Sequence, residues 1–251
     1  MTSKNPYFLS HCNNFTGISR ENPHTESMEK ISNLLSLPKS LNMVPIRSLG
    51  TRHRERIVKH LLDLDEQDRY LRFGYLATDE QISRYVQELN FERDDIYGIF
   101  NRKLDLIALA HVAMADAPET SSLDDLMKHL TSKHAEFGVS VLKSVRGRGY
   151  GTLLFDRAIT HARNEGRDNM YIHALTENTA MLKIARNAGA TVERSGSESD
   201  AYLKLPEATL RTRLTEIVED QMAEFDYGFK QQAKQLQERF DAVQKEPADR
   251  V

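Results

Sequence analysis

The stretch AEFGVSVLKSVRGRGYGTLLFDRAITHAR, residues 135–163, decides the fold of this chain. It opens with a run of β-branched residues, continues through three closely spaced glycines, and ends in apolar residues that recur at helical spacing. A glycine turn between a strand and a helix leaves backbone N–H groups pointing outward at the helix start, where the helix dipole favours anions. The stretch therefore predicts a turn that binds phosphate groups.

Two of the three common phosphate-binding designs do not match this turn. A P-loop needs Gly-Lys-Ser/Thr after its second glycine, which this turn lacks. A dinucleotide fingerprint could use Gly147 and Gly149, but Thr152 occupies the place of its third glycine. That fingerprint also usually opens a chain of βαβ units, whereas this turn follows about four strands with antiparallel character.

The third design fits, and it carries a family resemblance. Residues 146–151 have the form Arg-x-x-Gly-x-Gly and follow FGVSV, which resembles motif A of the GNAT superfamily of acyl-CoA-dependent N-acyltransferases. Downstream, TENTAMLKIARNAGA is similar to motif B of that family, with Asn178 opening a helix and Gly189 ending it. The segment DRYLRFGYLATDEQISRYV resembles the protein lysine acetyltransferase branch. The resemblance implies acetyl-CoA as co-substrate and no metal.

The same resemblance implies where coenzyme A would lie. Its pyrophosphate would be held by backbone N–H groups of the glycine turn, with the two arginines adding charge, and its pantetheine arm would lie beside the preceding strand like an added strand. Asn178 would contact the pantetheine, although a plain helix cap is the alternative. The expected cofactor-binding residues are Val139, Ser140, Val141, Arg146, Gly147, Arg148, Gly149, Tyr150, Gly151, Thr152 and Asn178.

Glu136 is the candidate general base. An amine must lose its proton before it attacks a thioester, and Glu136 is a charged residue in an otherwise apolar strand that would enter the acyl site. We expect it to be buried; a strand-end carboxylate that faces water or pairs with a neighbour is the alternative. Many relatives protonate the leaving thiolate with a tyrosine seven residues after the motif B asparagine, where this chain has Ala185. His173 is expected to be a hydrogen-bonded strand residue rather than a second base.

These features predict an N-acetyltransferase that acts on a primary amine, either a protein lysine or a small molecule. The alternative is a catalytically weak acyl-CoA-binding or scaffold protein, which the alanine at position 185 and the long C-terminal helix suggest. A nucleotide-binding regulator is a third interpretation, and it would prefer ATP or NAD to CoA.

The order of patterns predicts a mixed α/β fold: a GNAT-like, mostly antiparallel central sheet flanked by helices, with a long C-terminal helical extension. We expect an irregular N-terminal arm over residues 1–40, the acetyltransferase domain over 41–205 and the extension over 206–251. Within the domain, we expect an edge strand at 42–49 and a connection between two helices at 68–76, with unusual aromatic and arginine content.

Further elements follow from local patterns. Residues 95–115 alternate in polarity on both sides of a turn, which predicts a hairpin. Residues 116–133 are polar and predict a loop, with a short helix over 123–130. The 51–65 and 78–89 segments have helical spacing, the second with a Thr78 cap.

The last part of the chain predicts one helix of about 35 residues, interrupted at Gly228 if anywhere. Its apolar residues recur every three or four positions, so one face must be buried. We expect that face to pack either on the chain's own domain or on a second copy in a homodimer. The apolar positions are Leu210, Leu214, Val218, Met222, Phe225, Phe229, Ala233, Leu236, Phe240 and Val243.

Composition limits the remaining classes. The chain has 251 residues, a formal net charge of −3 and one cysteine, Cys12. No apolar run approaches the roughly 18 residues of a membrane span. We therefore expect a cytoplasmic protein without disulfides or a membrane contact. Nucleic acid is not an expected partner, because the basic cluster at 52–60 is typical of the solvated face of a helix.

Overall fold

The structure is a computed structural model that describes residues 44–115 and 133–245. Within those residues, seven strands form one sheet with the order β1-β2-β3-β4-β5-β7-β6. All neighbours are antiparallel except β4 and β5, which are parallel. The predicted mixed, mostly antiparallel sheet is confirmed. The strands are β1 (Arg47–Ser48), β2 (Asp95–Phe100), β3 (Leu106–Ala115), β4 (His134–Val141), β5 (Asn169–Leu175), β6 (Thr191–Ser195) and β7 (Glu198–Lys204).

Helices cover both faces of this sheet. On one face, Ile57, Leu61 and Ile82 pack with Ile96 and Leu109 of the sheet. On the other face lies the helix that follows the glycine turn, and the two layers bury a separate apolar core. The helices are α1 (Arg54–Leu62), α2 (Glu66–Phe73), α3 (Asp79–Glu88), α4 (Tyr150–Asn164), α5 (Thr179–Asn187) and α6 (Leu210–Lys245).

Most of the local predictions are confirmed. β2 and β3 form the expected hairpin, and the edge strand is present but only two residues long. The Thr78 side chain accepts a hydrogen bond from the Gln81 N–H at 3.3 Å, and the Gln81 side chain accepts one from the Thr78 N–H at 2.9 Å, which forms a capping box. The N-terminal arm and the loop with its short helix at 123–130 lie outside the described residues.

The connection expected at 68–76 is wrong, because α2 occupies most of it. The Asp65 carboxylate caps the helix start by accepting a hydrogen bond from the Asp68 N–H at 2.9 Å. Gly74 ends the helix with a φ of +79°, a left-handed conformation that glycine adopts at low cost. Both ends of α2 are thus stabilised by residues suited to helix caps.

The C-terminal helix α6 is continuous through Gly228. It packs on the domain through a mostly acidic side that also carries Ala223 and Tyr227. Arg157 of α4 is buried and forms ion pairs with Glu216, Glu219 and Asp220 at 3.4, 3.2 and 2.6 Å. The apolar side faces away from the domain, as shown by the 77% exposure of Phe225. The expectation that the apolar face packs on the chain's own domain is therefore wrong.

Candidate active site

A notch opens in the middle of the sheet where its two parallel strands separate. β4 and β5 pair only over residues 134–136 and 169–171, with Glu136 opposite Tyr171 as the last pair. Beyond that pair, β4 continues along β3 to Val141 and β5 continues along β7 to Leu175. Within residues 44–115 and 133–245, no strand pairs with the facing edges there, so an extended ligand could hydrogen-bond to them like an added strand.

The glycine turn closes one end of the notch. Gly147 and Gly149 have φ values of +78° and +79°, and Gly149 is the residue that precedes α4. The first main-chain bond of α4 runs from the Leu153 N–H to the Gly149 carbonyl at 3.0 Å. The N–H groups of residues 150–152 precede it and have no acceptor within the helix, as at every helix start. The turn therefore presents donors and a helix dipole to an anion.

A cavity of about 440 Å³ joins the notch to the glycine turn. A Cβ built on Gly147 or Gly149 would meet no atom within 4 Å, so the space beside the turn is open. These observations fit the pyrophosphate and pantetheine of coenzyme A. The predicted residues that line this cavity are Val139, Ser140, Val141, Arg146, Gly147, Gly149, Tyr150, Gly151, Thr152 and Asn178.

The two arginines of the turn differ in their surroundings. Arg146 lines the cavity, forms an ion pair with Asp68 of α2, and donates from Nε to the Val141 carbonyl at 3.1 Å. Arg148 is exposed and is not among the residues that line the cavity. The charge of Arg146 is thus partly compensated within the protein, whereas that of Arg148 faces solvent.

Asn178 uses both ends of its amide within the protein. Its Oδ1 accepts a hydrogen bond from the Met181 N–H at 3.1 Å and so caps α5. Its Nδ2 donates to the Leu71 carbonyl of α2 at 3.3 Å. The residue is a helix cap, as the alternative interpretation holds, and it also ties the two helices on either side of the cavity.

Glu136 lies at the apex of the notch, in the last residue pair before the strands separate. Its side chain is exposed, so the expected burial is wrong. Among the described residues, its carboxylate has no hydrogen-bond or ion-pair partner. It therefore faces water, as one form of the alternative interpretation holds, and does not pair with a neighbour. A free carboxylate at this point is available to accept a proton from a ligand.

Ser140 is held by a histidine that the sequence pattern assigns to a solvated helix face. His60 is buried; its Nδ1 lies 2.9 Å from the Leu106 carbonyl and its Nε2 lies 2.9 Å from the Ser140 Oγ. Burial lowers the pKa of His60 to about 4, so the imidazole is neutral at neutral pH. Since a carbonyl only accepts, Nδ1 carries the proton and Nε2 accepts from the Ser140 hydroxyl.

A chain of four polar residues beside the notch was not predicted from the sequence. Arg72 Nη2 donates to the Tyr85 hydroxyl oxygen at 3.0 Å. The Tyr85 oxygen lies 2.8 Å from His111 Nδ1, and His111 Nε2 lies 3.2 Å from Asp94 Oδ2. Arg72 also lines the cavity, so this chain connects the buried side of β3 to the site. In the sequence, only the family resemblance of the segment that contains Arg72 and Phe73 pointed to a member of this chain.

Two further sequence observations are located by the structure. Ala185 is fully buried in the core, so no side chain reaches the cavity from that position. His173 is exposed and its Nδ1 lies 2.6 Å from Asp200 Oδ1, which makes it a paired strand residue. The described residues contain no His, Cys, Asp and Glu cluster suited to a metal. They also contain no helix that is long and apolar enough to cross a membrane.

Comparison with known proteins agrees with this geometry. Residues 59–190 match the model of the acetyltransferase (GNAT) family. The chain is similar to the GNAT domain of S. lividans PAT, with 20% identity and a TM-score of 0.52, over 64% of this chain and 89% of that one. It is also similar to spermidine N-acetyltransferase from Vibrio cholerae in complex with CoA and spermine, with 14% identity and a TM-score of 0.47, over 63% and 94%.

Since the family model spans more than half of the chain, the chain belongs to the acetyltransferase (GNAT) family. The resemblance noted in the sequence is confirmed. The protein is an acyl-CoA-dependent N-acyltransferase with acetyl-CoA as its co-substrate.

Proposed function

We propose that this enzyme transfers an acetyl group from acetyl-CoA to a primary amine of a protein lysine or a small molecule, by direct attack with Glu136 as general base. The observation that carries the proposal is the position of Glu136 at the apex of the notch, with an exposed carboxylate that has no partner among the described residues. The thioester is the electrophile that acetyl-CoA supplies. All other steps depend on residues of the chain itself.

The proposed role of Glu136 follows from the protonation of amines. A lysine amine has an ordinary pKa near 10.4 and is cationic at neutral pH. It must lose a proton before it attacks, and a carboxylate can take that proton directly or through a water. Exposure of Glu136 leaves room for both routes, because water reaches the carboxylate.

The proposed binding mode uses the backbone of the chain. The N–H groups of the turn at 146–152 would hold the pyrophosphate, and the free edge of β4 at Val139–Val141 would hold the pantetheine. Ser140 is suited to orient a ligand, because its hydroxyl proton is directed to His60 and its lone pairs remain. Arg148, which faces solvent, would contribute charge at the outer end.

The alternative is a catalytically weak acyl-CoA-binding or scaffold protein of the same fold. The buried Ala185 supports it, because the position of the usual acid carries no proton donor. The two functions are separated by a panel of amines: polyamines, amino acids, aminoglycosides and lysine peptides. Acetyl transfer to at least one of them is expected for the enzyme, and CoA binding without transfer to any is expected for the scaffold.

Glu136→Gln tests the base. We expect kcat with the best amine to fall by about 10²–10⁴, the usual contribution of a general base. CoA affinity, measured by calorimetry, should be unchanged, because Glu136 lies outside the cavity. Glu193→Gln is the matched control, since Glu193 is an exposed glutamate on the outer strand β6. Unchanged turnover in Glu136→Gln would remove Glu136 from the mechanism.

The proposal includes a homodimer formed through α6. Large apolar residues on this helix expose on the order of 1,000 Å² of surface, more than the few hundred Å² of the largest patch on a typical monomer. That area is close to the ~800 Å² that each partner buries in a standard interface. The exposed residues are Leu210, Leu214, Ile217, Val218, Met222, Phe225, Phe229, Leu236 and Phe240; we call them the α6 stripe.

The α6 stripe has features suited to a second copy. Leu214, Phe225 and Leu236 are spaced by eleven residues, a period close to three helical turns that keeps a stripe on one side of a straight helix. Gly228 lies in a shallow surface pocket between Phe225 and Phe229. In an antiparallel pair with two-fold symmetry, the phenylalanines of each copy would enter the pocket of the other.

A further inference from the structure

Arg72 of α2 lies directly against the strand that leads out of the notch. A Cβ built on Gly138 would be 3.0 Å from Arg72 Cζ and Nη2 and 3.1 Å from Nη1. Gly138 follows Glu136 by two residues and precedes Val139 of the pantetheine edge. A side chain at position 138 would require the guanidinium to shift by a few tenths of an ångström, so glycine permits its close approach.

The guanidinium of Arg72 has donors that the protein does not use. Among the described residues, Nη2 donates to the Tyr85 hydroxyl, whereas Nε and Nη1 have no acceptor. Nε is enclosed by protein, so Nη1 is the donor that a ligand can reach. In the part of the chain that the structure describes, no carboxylate forms an ion pair with Arg72. Arg72 is half-buried, and donors shielded from water are nearly always satisfied. Since Arg72 lines the cavity, a ligand is the natural source of the missing acceptor.

The polar chain behind Arg72 fixes its position and direction. Burial alone would raise the pKa of Asp94, but hydrogen bonds from Arg93 and His111 hold it below the usual value, so Asp94 is ionised and only accepts. His111 therefore donates from Nε2 and accepts at Nδ1 from the Tyr85 hydroxyl. Burial, followed by the nearby charge of Arg72, lowers the pKa of His111 and keeps it neutral.

Tyr85 is consequently a positioning residue rather than a proton donor to a ligand. Its hydroxyl proton is directed to His111, and its oxygen accepts from Arg72. Arg72 is further held by the rings of Phe73 and Tyr85, whose centroids lie 5.2 and 5.7 Å from Cζ. The site thus keeps a fixed cation beside the notch, whereas Ala185, at the position of the usual acid, is buried in the core.

We propose that Arg72 stabilises the thiolate of CoA and so replaces the missing proton donor. In the reaction, the N–C bond forms, the C–S bond breaks, and the electron pair of the C–S bond stays on sulfur. A lysine ammonium loses two protons on the way to the amide: Glu136 takes the first and passes it to water, then takes the second after the attack. Arg72 keeps all of its protons. The role of Arg72 in catalysis rests on the proposed function. The binding preference is separate: the protein should bind the CoA thiolate more tightly than the same molecule without sulfur.

The test compares CoA with desulfo-CoA in calorimetric titrations of the full chain at about pH 9, above the ordinary thiol pKa near 8.5. We expect wild type to bind CoA about tenfold more tightly than desulfo-CoA, as a charge-assisted contact allows. Arg72→Met should lower CoA affinity much more than desulfo-CoA affinity and so abolish that preference. Arg194→Met, at an exposed arginine of β6, is the matched control and should keep the preference.

A second variant guards against a change in the fold. Tyr85→Phe keeps the charge of Arg72 but removes the hydroxyl that holds it, so the CoA preference should fall only in part. No preference in wild type, or equal loss of affinity for both ligands in Arg72→Met, would overturn the proposal. Because no amine is present, a preference for CoA together with no transfer to any amine would leave the Arg72 proposal standing and reject the proposed function.

Discussion

The glycines around the cavity are required for different physical reasons. Gly147 and Gly149 have left-handed backbone conformations that cost other residues about 1–2 kcal/mol. Gly151 is helical, but a Cβ there would lie 3.0 Å from the Ile184 side chain, so it permits α4 and α5 to approach closely. Three glycines that look alike in the sequence thus serve the turn and the helix packing separately.

Gly147→Ala tests whether the conformation of the turn matters for the ligand. We expect a loss of about 1 kcal/mol in the free energy of unfolding, because alanine is strained at a φ of +78°. We also expect CoA affinity to fall by at least about tenfold, because the N–H groups would no longer converge on the pyrophosphate. Thermal melts and calorimetry measure the two effects.

Gly196→Ala is the matched control for this prediction. Gly196 has a φ of +64° and lies in the turn between β6 and β7, apart from the residues that line the cavity. It should lose similar stability and keep its CoA affinity. Equal CoA affinity in both variants would show that the turn does not hold the pyrophosphate.

The residues of the site differ in how far the sequence could predict them. The glycine turn and the edge of β4 are contiguous, so a local pattern identifies them together. Arg72, Tyr85 and His111 come from three elements that meet only through the packing of α2 and α3 on the sheet. No spacing rule links them, and the exposure of Glu136 also depends on neighbours that the local pattern does not contain.

At the scale of elements, α2 is a helix that the spacing of apolar residues does not predict. The segment is rich in charged and aromatic residues, and its buried side is partly polar. Its signals were the caps, an aspartate at position 65 and a glycine at position 74. A search for caps would have found it, whereas periodicity favoured a connection.

The sequence of α6 alone could not predict which side of the helix packs on the domain. Its apolar stripe predicts a buried face, and that argument holds for a helix whose neighbours are apolar. Here α4 presents Arg157 and His161, which attract the acidic side of α6 instead. The apolar side is left exposed as a consequence of charges that lie about 60 residues earlier in the chain.

His161 makes the attachment of α6 dependent on pH. Burial alone would lower the pKa of His161, but hydrogen bonds with Asp95 and Glu216 raise it to about 9. Since the folded-state value exceeds the ordinary 6.5, this stabilisation is complete below about pH 6.5 and is lost as the pH rises through about 9. We expect wild-type Tm to fall more steeply than that of His161→Gln between about pH 7 and pH 10.

His173→Gln is the control for the pH prediction. His173 also lies beside a carboxylate, Asp200, but the pair is exposed and contributes little to stability. Its Tm profile should follow wild type. Hydrogen exchange of the α6 amides should accelerate at high pH in wild type, and parallel Tm profiles for wild type and His161→Gln would contradict the assignment.

At the scale of the whole molecule, the two sides of α6 lead to opposite expectations for a monomer and a dimer. Residues two apart on a helix point roughly 200° away from each other. Ala223 is 2% exposed against the domain, whereas Phe225 is 77% exposed. The apolar residues on the exposed side of α6 are explained if a second copy of the chain covers the α6 stripe.

Phe229→Glu tests the dimer. In the proposed antiparallel pair, the new carboxylate would lie near its symmetry mate in an apolar interface, so the dimer should dissociate. Sedimentation velocity should give a dimer for wild type and a monomer for the variant. Gln237→Glu adds the same charge to an exposed position outside the α6 stripe and should remain dimeric. A monomeric wild type at all concentrations would reject the homodimer.

Gly228→Ala also distinguishes a monomer from a homodimer, because it should stabilise the protomer but weaken the dimer. Glycine inside a helix costs about 0.5–1 kcal/mol relative to alanine, so the substitution should raise the Tm of a monomer. In the dimer, the added methyl group would occupy the pocket between Phe225 and Phe229 that receives the partner's phenylalanine. We therefore expect a more stable protomer at high dilution and a dimer about tenfold weaker, by the cost of overpacking an interface. An unchanged dimer affinity would show that the contact lies elsewhere on the α6 stripe.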